Sequence, residues 1–149
     1  MLNSAVIFRM THERTARGSA GDIPRLSRQS FMKRKYTLKE NHLFTRAYKK
    51  GKSVAAYNAV VYVMYNRDQK ADTKIGITVS TKNGNAVRRN RAKRIIREAA
   101  RLLYPTLKKG LFIVIVARKP AYIPTHKMQQ VKRTLEKAFK DLKIVNLNQ

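Results

Sequence analysis

The chain has 149 residues, 34 of them Lys or Arg and 8 Asp or Glu, for a formal net charge of +26. With 43% hydrophobic residues it is too apolar for a disordered basic tail, and its length suits one domain with one modest core. No apolar run approaches the ~20 residues that cross a bilayer, and the absence of cysteine excludes disulfides, thiolate metal sites and cysteine nucleophiles.

A reducing compartment, the cytoplasm, is therefore the expected location. Self-repulsion at this charge opposes a compact state, so a polyanion is the expected partner. The cations are spread over several elements rather than gathered on one helix with a bulky apolar face, which favours nucleic acid over a membrane surface.

Residues 1–31 mix Ser, Thr, Gly and Arg with no period of 3.6 or 2 and read as a disordered or mis-started N-terminal extension. They hold 5 basic and 2 acidic residues, which leaves a net +23 in 32–149, and Met32 opens a new composition and competes with Met1 as the start. No basic residue precedes the short apolar stretch Ala5 to Phe8, so a secretory signal is not expected.

Thr37-Leu38-Lys39-Glu40 has capping-box spacing, and Gly51 stands where a left-handed cap would end a helix, so a first helix is expected from about Leu38 or His42 to Lys50. On it Phe44 and Tyr48 share one face and Leu43 and Ala47 the adjacent stripe. Strands are expected near Ser53–Ala56, over Asn58–Tyr65 and over Lys74–Ser80, the last with Ile75, Ile77 and Val79 opposite Gly76, Thr78 and Ser80. Asn83-Gly84-Asn85 supplies a turn and a cap for a helix from Ala86 to Leu103, ended by Pro105. Leu111–Ala117 reads as a buried strand, and a last helix from about Thr125 to Lys143 buries Met128, Val131, Leu135, Phe139 and Leu142. The order α-β-β-β-α-β-α implies an α+β fold, an α/β sandwich of a small sheet with helices packed on it.

In the helix from Ala86 to Leu103, Ala92, Ile95, Ile96, Ala99 and Leu103 form an apolar sector. Arg89, Lys93, Arg97 and Arg101 step by four along one side, and Arg91 and Arg94 complete the opposite arc, with Glu98 as the one acid between Arg88 and Arg101. A solvated amphipathic face is the plain alternative, but it normally mixes signs; cations of one sign beside a helix N-terminus point to phosphate. Arginine suits that task because its planar fork grips a phosphate through two hydrogen bonds. Phe44, Tyr48 and Tyr62 form an aromatic set on which unpaired bases can stack, with core packing as the competing use of Phe44.

Enzymatic chemistry within the chain is not expected. Gly51-Lys52-Ser53 resembles the end of a phosphate-binding loop, but Arg46 stands where its first glycine belongs. His12, His42 and His126 lack metal-ligand spacing, and 8 acids with none paired in an apolar setting do not make a two-metal site, so no catalytic or metal-binding residue is assigned.

Gly84-Asn85-Ala86-Val87-Arg88-Arg89-Asn90-Arg91-Ala92-Lys93-Arg94, followed by Arg97-Glu98, closely resembles the signature of the bacterial ribonuclease P protein component, the RNR-motif family. The likeness runs from Lys39 to about Leu142 and includes Ile77-Thr78-Val79-Ser80 before the motif and Val116-Ala117-Arg118-Lys119-Pro120 after the last strand. It implies a four-stranded sheet with a left-handed βαβ crossover. It also implies a protein subunit of ribonuclease P, in which the RNA subunit with bound Mg2+ removes the 5′ leader of precursor tRNA and the protein alone does not cut.

By the family's pattern, Arg88, Arg89, Asn90, Arg91, Lys93, Arg94 and Arg97, with Lys82, face ribonuclease P RNA, and Phe44, Tyr48 and Tyr62 line the cleft for the leader of precursor tRNA. The implied partners are these two RNAs, not DNA or a membrane. Thr81 stands before Lys82 where the family often has a second lysine, and residues 1–31 have no counterpart in it. A structural RNA-binding protein, such as a ribosomal one, is the alternative on composition; an independent nuclease would need acidic metal ligands.

Overall fold

The computed structural model describes residues 33–118 and 128–146. The expectations for residues 1–31 and for a last-helix start at Thr125 lie outside them. The elements are α1 (Asn41–Lys50), β1 (Lys52–Ala55), β2 (Ala59–Tyr65), β3 (Lys74–Thr78), α2 (Ala86–Leu103), β4 (Leu111–Ala117) and α3 (Met128–Asp141), so the expected order and the α+β class hold.

The strands form one sheet in the order β1-β2-β4-β3. The β1–β2 hairpin sets Val54 opposite Val61, β2 runs antiparallel to β4 with Val61 opposite Ile115, and β3 runs parallel to β4 with Ile77 opposite Ile115. Side chains alternate across the sheet, which gives it two different faces. Val61, Ile75, Ile113 and Ile115 face α2 and α3, where Ile96, Leu135 and Phe139 meet them; each of these seven is 1% exposed or less. Burying such a side chain stabilises by about 1.5–3 kcal/mol relative to leaving it in water. Among the described residues the opposite face carries only α1, whose Leu43 and Ala47 pack with Leu38, Met64 and Val114.

α1 begins at Asn41, within one residue of the His42 alternative and later than the Thr37-x-x-Glu40 pattern suggests, and no side chain caps it. Thr37 is instead bridged in parallel to Ile75, and the Leu38 N–H donates to the Ile75 carbonyl at 3.0 Å. Burial of Leu38 against the sheet overrides the local cap, and the pairing covers the outer edge of β3. Gly51 does end α1, but with φ −76° it is not a left-handed cap. Glycine is needed there for room: a Cβ would collide with the Ala47 carbonyl oxygen and lie 3.0 Å from that of Val63.

No helix among the described residues is long and apolar enough to cross a membrane. Beyond α2 a 3-10 turn, Tyr104–Thr106, brings Tyr104 against the Tyr36 ring at 4.5 Å, and its hydroxyl donates to the Thr73 carbonyl at 2.8 Å. Burial, aided by the nearby Asp72 carboxylate, pushes the Tyr104 phenol from 10.0 up to about 12. The folded state thus holds a proton that the unfolded chain releases near pH 10, so the stabilisation is complete below pH 10 and is lost as pH rises toward 12. We expect Tyr104→Phe to lower stability at neutral pH by about 1 kcal/mol through the lost hydrogen bond. In urea titrations, the loss of stability between pH 10 and 12 should be shallower in this variant than in the parent chain; equal slopes would exclude Tyr104 as a contributor.

Candidate nucleic-acid interface

Two surfaces carry the residues that the sequence singles out, one on each face of the sheet. On the first, α2 buries Ala92, Ile96, Ala99, Ala100 and Leu103 and turns its cations outward. Arg88, Asn90, Arg91 and Arg94 are exposed, and Arg89, Lys93 and Arg97 are half-buried. Glu98 does not neutralise this group as a whole: it takes Arg101 in a fork, with Nη2 2.6 Å and Nε 3.1 Å from its two oxygens, and this bonding raises the Arg101 pKa.

The N-terminus of α2 is built as the sequence suggests. The Asn85 side chain accepts from the Arg88 N–H at 3.0 Å, and Gly84, at φ 119°, takes a backbone shape that side chains resist. A short 3-10 turn, Thr81–Asn83, precedes it, with the Lys82 N–H donating to Ser80 Oγ at 3.3 Å and the Lys82 side chain exposed. Arg89 behaves differently from its neighbours. Its guanidinium folds back, with Nη1 3.2 Å from the Gly84 carbonyl oxygen and 3.5 Å from that of Thr81, so it braces the turn that carries Lys82.

The second surface is the sheet face only partly covered by α1. Phe44 and Tyr48 descend from α1 toward Tyr62 of β2; the Tyr48 and Tyr62 rings meet edge to face at 5.1 Å, and the Tyr48 hydroxyl donates to Thr78 Oγ1 at 3.3 Å. Phe44, Tyr62, Phe112 and Val116 are half-buried around the α1 core, and Tyr48 is 42% exposed. The Phe44 ring rests on Gly76, where any Cβ would overlap it. An apolar floor with two tyrosines at its rim can hold flat rings by stacking. Thr78 ends β3 within this cleft, and the Thr81–Asn83 turn follows directly, so β3 leads from the aromatic face to the basic one.

Among the described residues no group of three or more His, Asp or Glu is placed to hold a metal ion. Three of the six acids there pair with single cations: Asp72 contacts Lys35 at 3.3 Å, Glu98 contacts Arg101 at 2.6 Å and Glu136 contacts Lys140 at 3.1 Å.

A family model described as Ribonuclease P matches residues 32–143. The chain is similar to the ribonuclease P protein component of Exiguobacterium sp., at 40% identity over 76% of this chain and 95% of that one. That of Symbiobacterium thermophilum is 44% identical over 60% and 77% of the two chains. Among solved structures, the Staphylococcus aureus RNase P protein aligns with a TM-score of 0.64 at 39% identity, covering 74% of this chain and 98% of that one. The Thermotoga maritima protein aligns at 0.62 and 30%, covering 70% and 96%.

The chain belongs to the bacterial ribonuclease P protein family. It is thus a subunit of ribonuclease P, a tRNA-processing endoribonuclease. In this family member the cleft also contains Phe112, Val116 and Thr78, which the sequence reading did not assign to it. The signal was partly present, because period-2 alternation puts Phe112 and Val116 on one face of β4, but only the pairing of Met64 with Phe112 fixes that face as the one shared with Tyr62.

The seat of Phe44 supplies a test of the cleft's construction. We expect Gly76→Val to drive the Phe44 ring out of place and to lower stability by about 1–3 kcal/mol, as over-packing does. The Gly76→Val, Phe44→Ala double variant should recover part of the loss. Additive effects in thermal melts would mean that the ring does not occupy this space.

Proposed function

We propose that this chain binds the catalytic RNA subunit of ribonuclease P through α2 and the single-stranded 5′ leader of precursor tRNA in the aromatic cleft, in the cytoplasm. The observation that carries this reading is the junction at the end of β3, where a stacking surface of Phe44, Tyr48 and Tyr62 adjoins a phosphate-binding surface. That second surface comprises Arg88, Asn90, Arg91, Lys93, Arg94, Arg97 and Lys82, with Arg89 bracing the turn. Stacking recognises unpaired bases with little regard to sequence, as a variable leader requires.

The Mg2+ of the reaction is assigned to the RNA subunit, since among the described residues no three or more His, Asp or Glu side chains converge on one point. The protein's contribution is electrostatic: its cations reduce the repulsion between two RNAs and the uptake of counterions that docking them would otherwise require.

Multiple-turnover cleavage of a precursor tRNA at low Mg2+ by a bacterial ribonuclease P RNA should be stimulated by the chain. Stimulation lost without the RNA subunit is expected; cleavage by the protein alone would overturn the division of labour. In the assembled complex, Tyr62→Ala should weaken precursor binding by about 1–3 kcal/mol, the loss of one stacked base, and leave mature tRNA binding unchanged. Equal binding of the two RNAs by the parent complex would remove the leader from the cleft.

Salt dependence separates the roles on α2. Arg94→Ala should reduce the slope of log K against log salt by about 0.7–0.9, the loss of one phosphate contact. Arg89→Lys keeps the charge but places its donor nitrogen one bond nearer the backbone than the Nη1 that meets both carbonyls, so it should weaken RNA-subunit binding with little change of slope. A drop in slope as large as that of Arg94→Ala would assign Arg89 to phosphate instead.

A further inference from the structure

A groove of about 460 Å³ opens at the opposite edge of the sheet from β3, between β1 and α3. Its floor is apolar: Val54 and Ala56 are half-buried against the main core, and Ala138 of α3 is buried beside them. Its rim is cationic and aromatic. Arg133 and Lys137, one helical turn apart on α3 and both exposed, stand on one side, and Tyr57, 62% exposed, stands in the turn on the other. Asp141 lies at the far end, about 12 Å along the helix axis from Arg133.

The wall that carries Tyr57 is fixed before any ligand arrives. The Ala56 N–H donates to the Ala59 carbonyl at 2.8 Å, the Arg118 N–H to the Asn58 carbonyl at 2.9 Å and Arg118 Nη1 to the Ala56 carbonyl at 3.0 Å. Asn58, buried beneath the turn, donates through Nδ2 to Thr134 Oγ1 at 3.4 Å and ties the turn to α3. A preformed apolar floor with a few fixed polar groups at its edge is the usual form of a ligand site, because little ordering remains to be done on binding.

We infer that this groove is a second docking surface for the RNA subunit, taking an unpaired nucleotide whose base stacks on Tyr57 over the Val54–Ala56 floor and whose flanking phosphates meet Arg133 and Lys137. The chemistry of the rim selects this occupant. Two cations with Cβ atoms about 5–6 Å apart suit a phosphate chain, and an exposed tyrosine above an apolar floor suits a flat base. Asp141, past the cations, accepts from base N–H groups and repels further phosphate, which limits the segment to a short one.

The position selects the source. α2 and α3 pack side by side on the same face of the sheet, so an RNA lying across the cations of α2 continues along the helical layer to α3, whereas the leader cleft is on the other face. This inference rests on the proposed RNA-subunit contact of α2, and its test carries that contact as an internal control.

Full-length chains carrying Tyr57→Ala, Tyr57→Phe, the double change Arg133→Ala/Lys137→Ala, or Arg94→Ala on α2 are titrated with ribonuclease P RNA over a range of salt. Thermal melts check that each is folded. The double change should reduce the salt slope by about 1.4–1.8 units, two phosphate contacts. Tyr57→Ala should weaken binding at least fivefold, in line with the loss of one stacked base, and Tyr57→Phe should restore it.

Unchanged affinity and slope in the groove variants, with Arg94→Ala weakened, would overturn the second docking surface and leave the α2 contact standing. Unchanged binding in all four would overturn both. Intact RNA-subunit binding with weaker binding of precursor tRNA by the assembled complex would overturn the choice of RNA and move the groove to the substrate.

Discussion

The parallel pairing of β3 with β4, Ile77 opposite Ile115, is the constraint on which the rest of the molecule depends. Two parallel neighbours cannot be joined by a hairpin; the chain must cross a face of the sheet, and here it does so as α2. That crossover assigns the faces. The side over which α2 passes is completed by α3 and becomes the main core, while among the described residues the other side receives only the ten-residue helix α1 and keeps Tyr62, Phe112 and Val116 partly open. The same connection places the N-terminal turn of α2 directly after Thr78, so the basic and aromatic surfaces meet at the end of one strand.

Charge works against this arrangement, and burial decides the outcome. Each like-charge pair three or four residues apart on α2 opposes the helix by about 0.2–0.5 kcal/mol, and Arg89, Lys93 and Arg97 form such a row. Against this, the full burial of Ile96 and Leu103 contributes about 1.5–3 kcal/mol each. Ala92, Ala99 and Ala100, all 0% exposed, add little area but let α2 lie close to its neighbours. Glu98 offsets only Arg101, which sits in the last turn away from the family signature. The helix therefore folds by packing rather than by charge pairing, and its remaining cations keep their field for a polyanion.

What the sequence reveals divides along the same physical line. The bounds of α2 and β4 are legible residue by residue, because an Asn85 cap, a helical apolar period and an unbroken β-branched run are local signals that tertiary contacts reinforce. The start of α1 is legible only as a choice between Leu38 and His42, and the observed Asn41 falls beside the second, because Thr37 and Glu40 satisfy a local rule while Leu38 makes its decisive contact with Ile75, 37 residues away. Gly51 ends its helix through a shortage of space against Ala47 and Val63 that no local pattern records. The cleft is half legible: Phe44, Tyr48 and Tyr62 stand out by residue type, whereas Phe112, Val116 and Thr78 join it through strand register and one hydroxyl contact. Arg89 shows the limit for charge, since spacing puts it in line with Lys93 and Arg97 but says nothing of its fold back onto the Thr81 and Gly84 carbonyls.

In the proposed reading, the division into two faces also separates two kinds of RNA affinity. The cations of α2 gain their free energy from counterion release, which every RNA supplies and which salt suppresses. Stacking on Phe44, Tyr48 and Tyr62 releases few counterions and requires bases that are unpaired, so its contribution persists as salt rises and depends on the strand being single. A chain at +26 that bound RNA by charge alone would hold any RNA more tightly as its charge grew. Placing the stacking surface on the opposite face of the sheet lets the basic helix be strong without the cleft becoming indiscriminate, because the groups that distinguish a leader from a folded tRNA are not the groups that attract both.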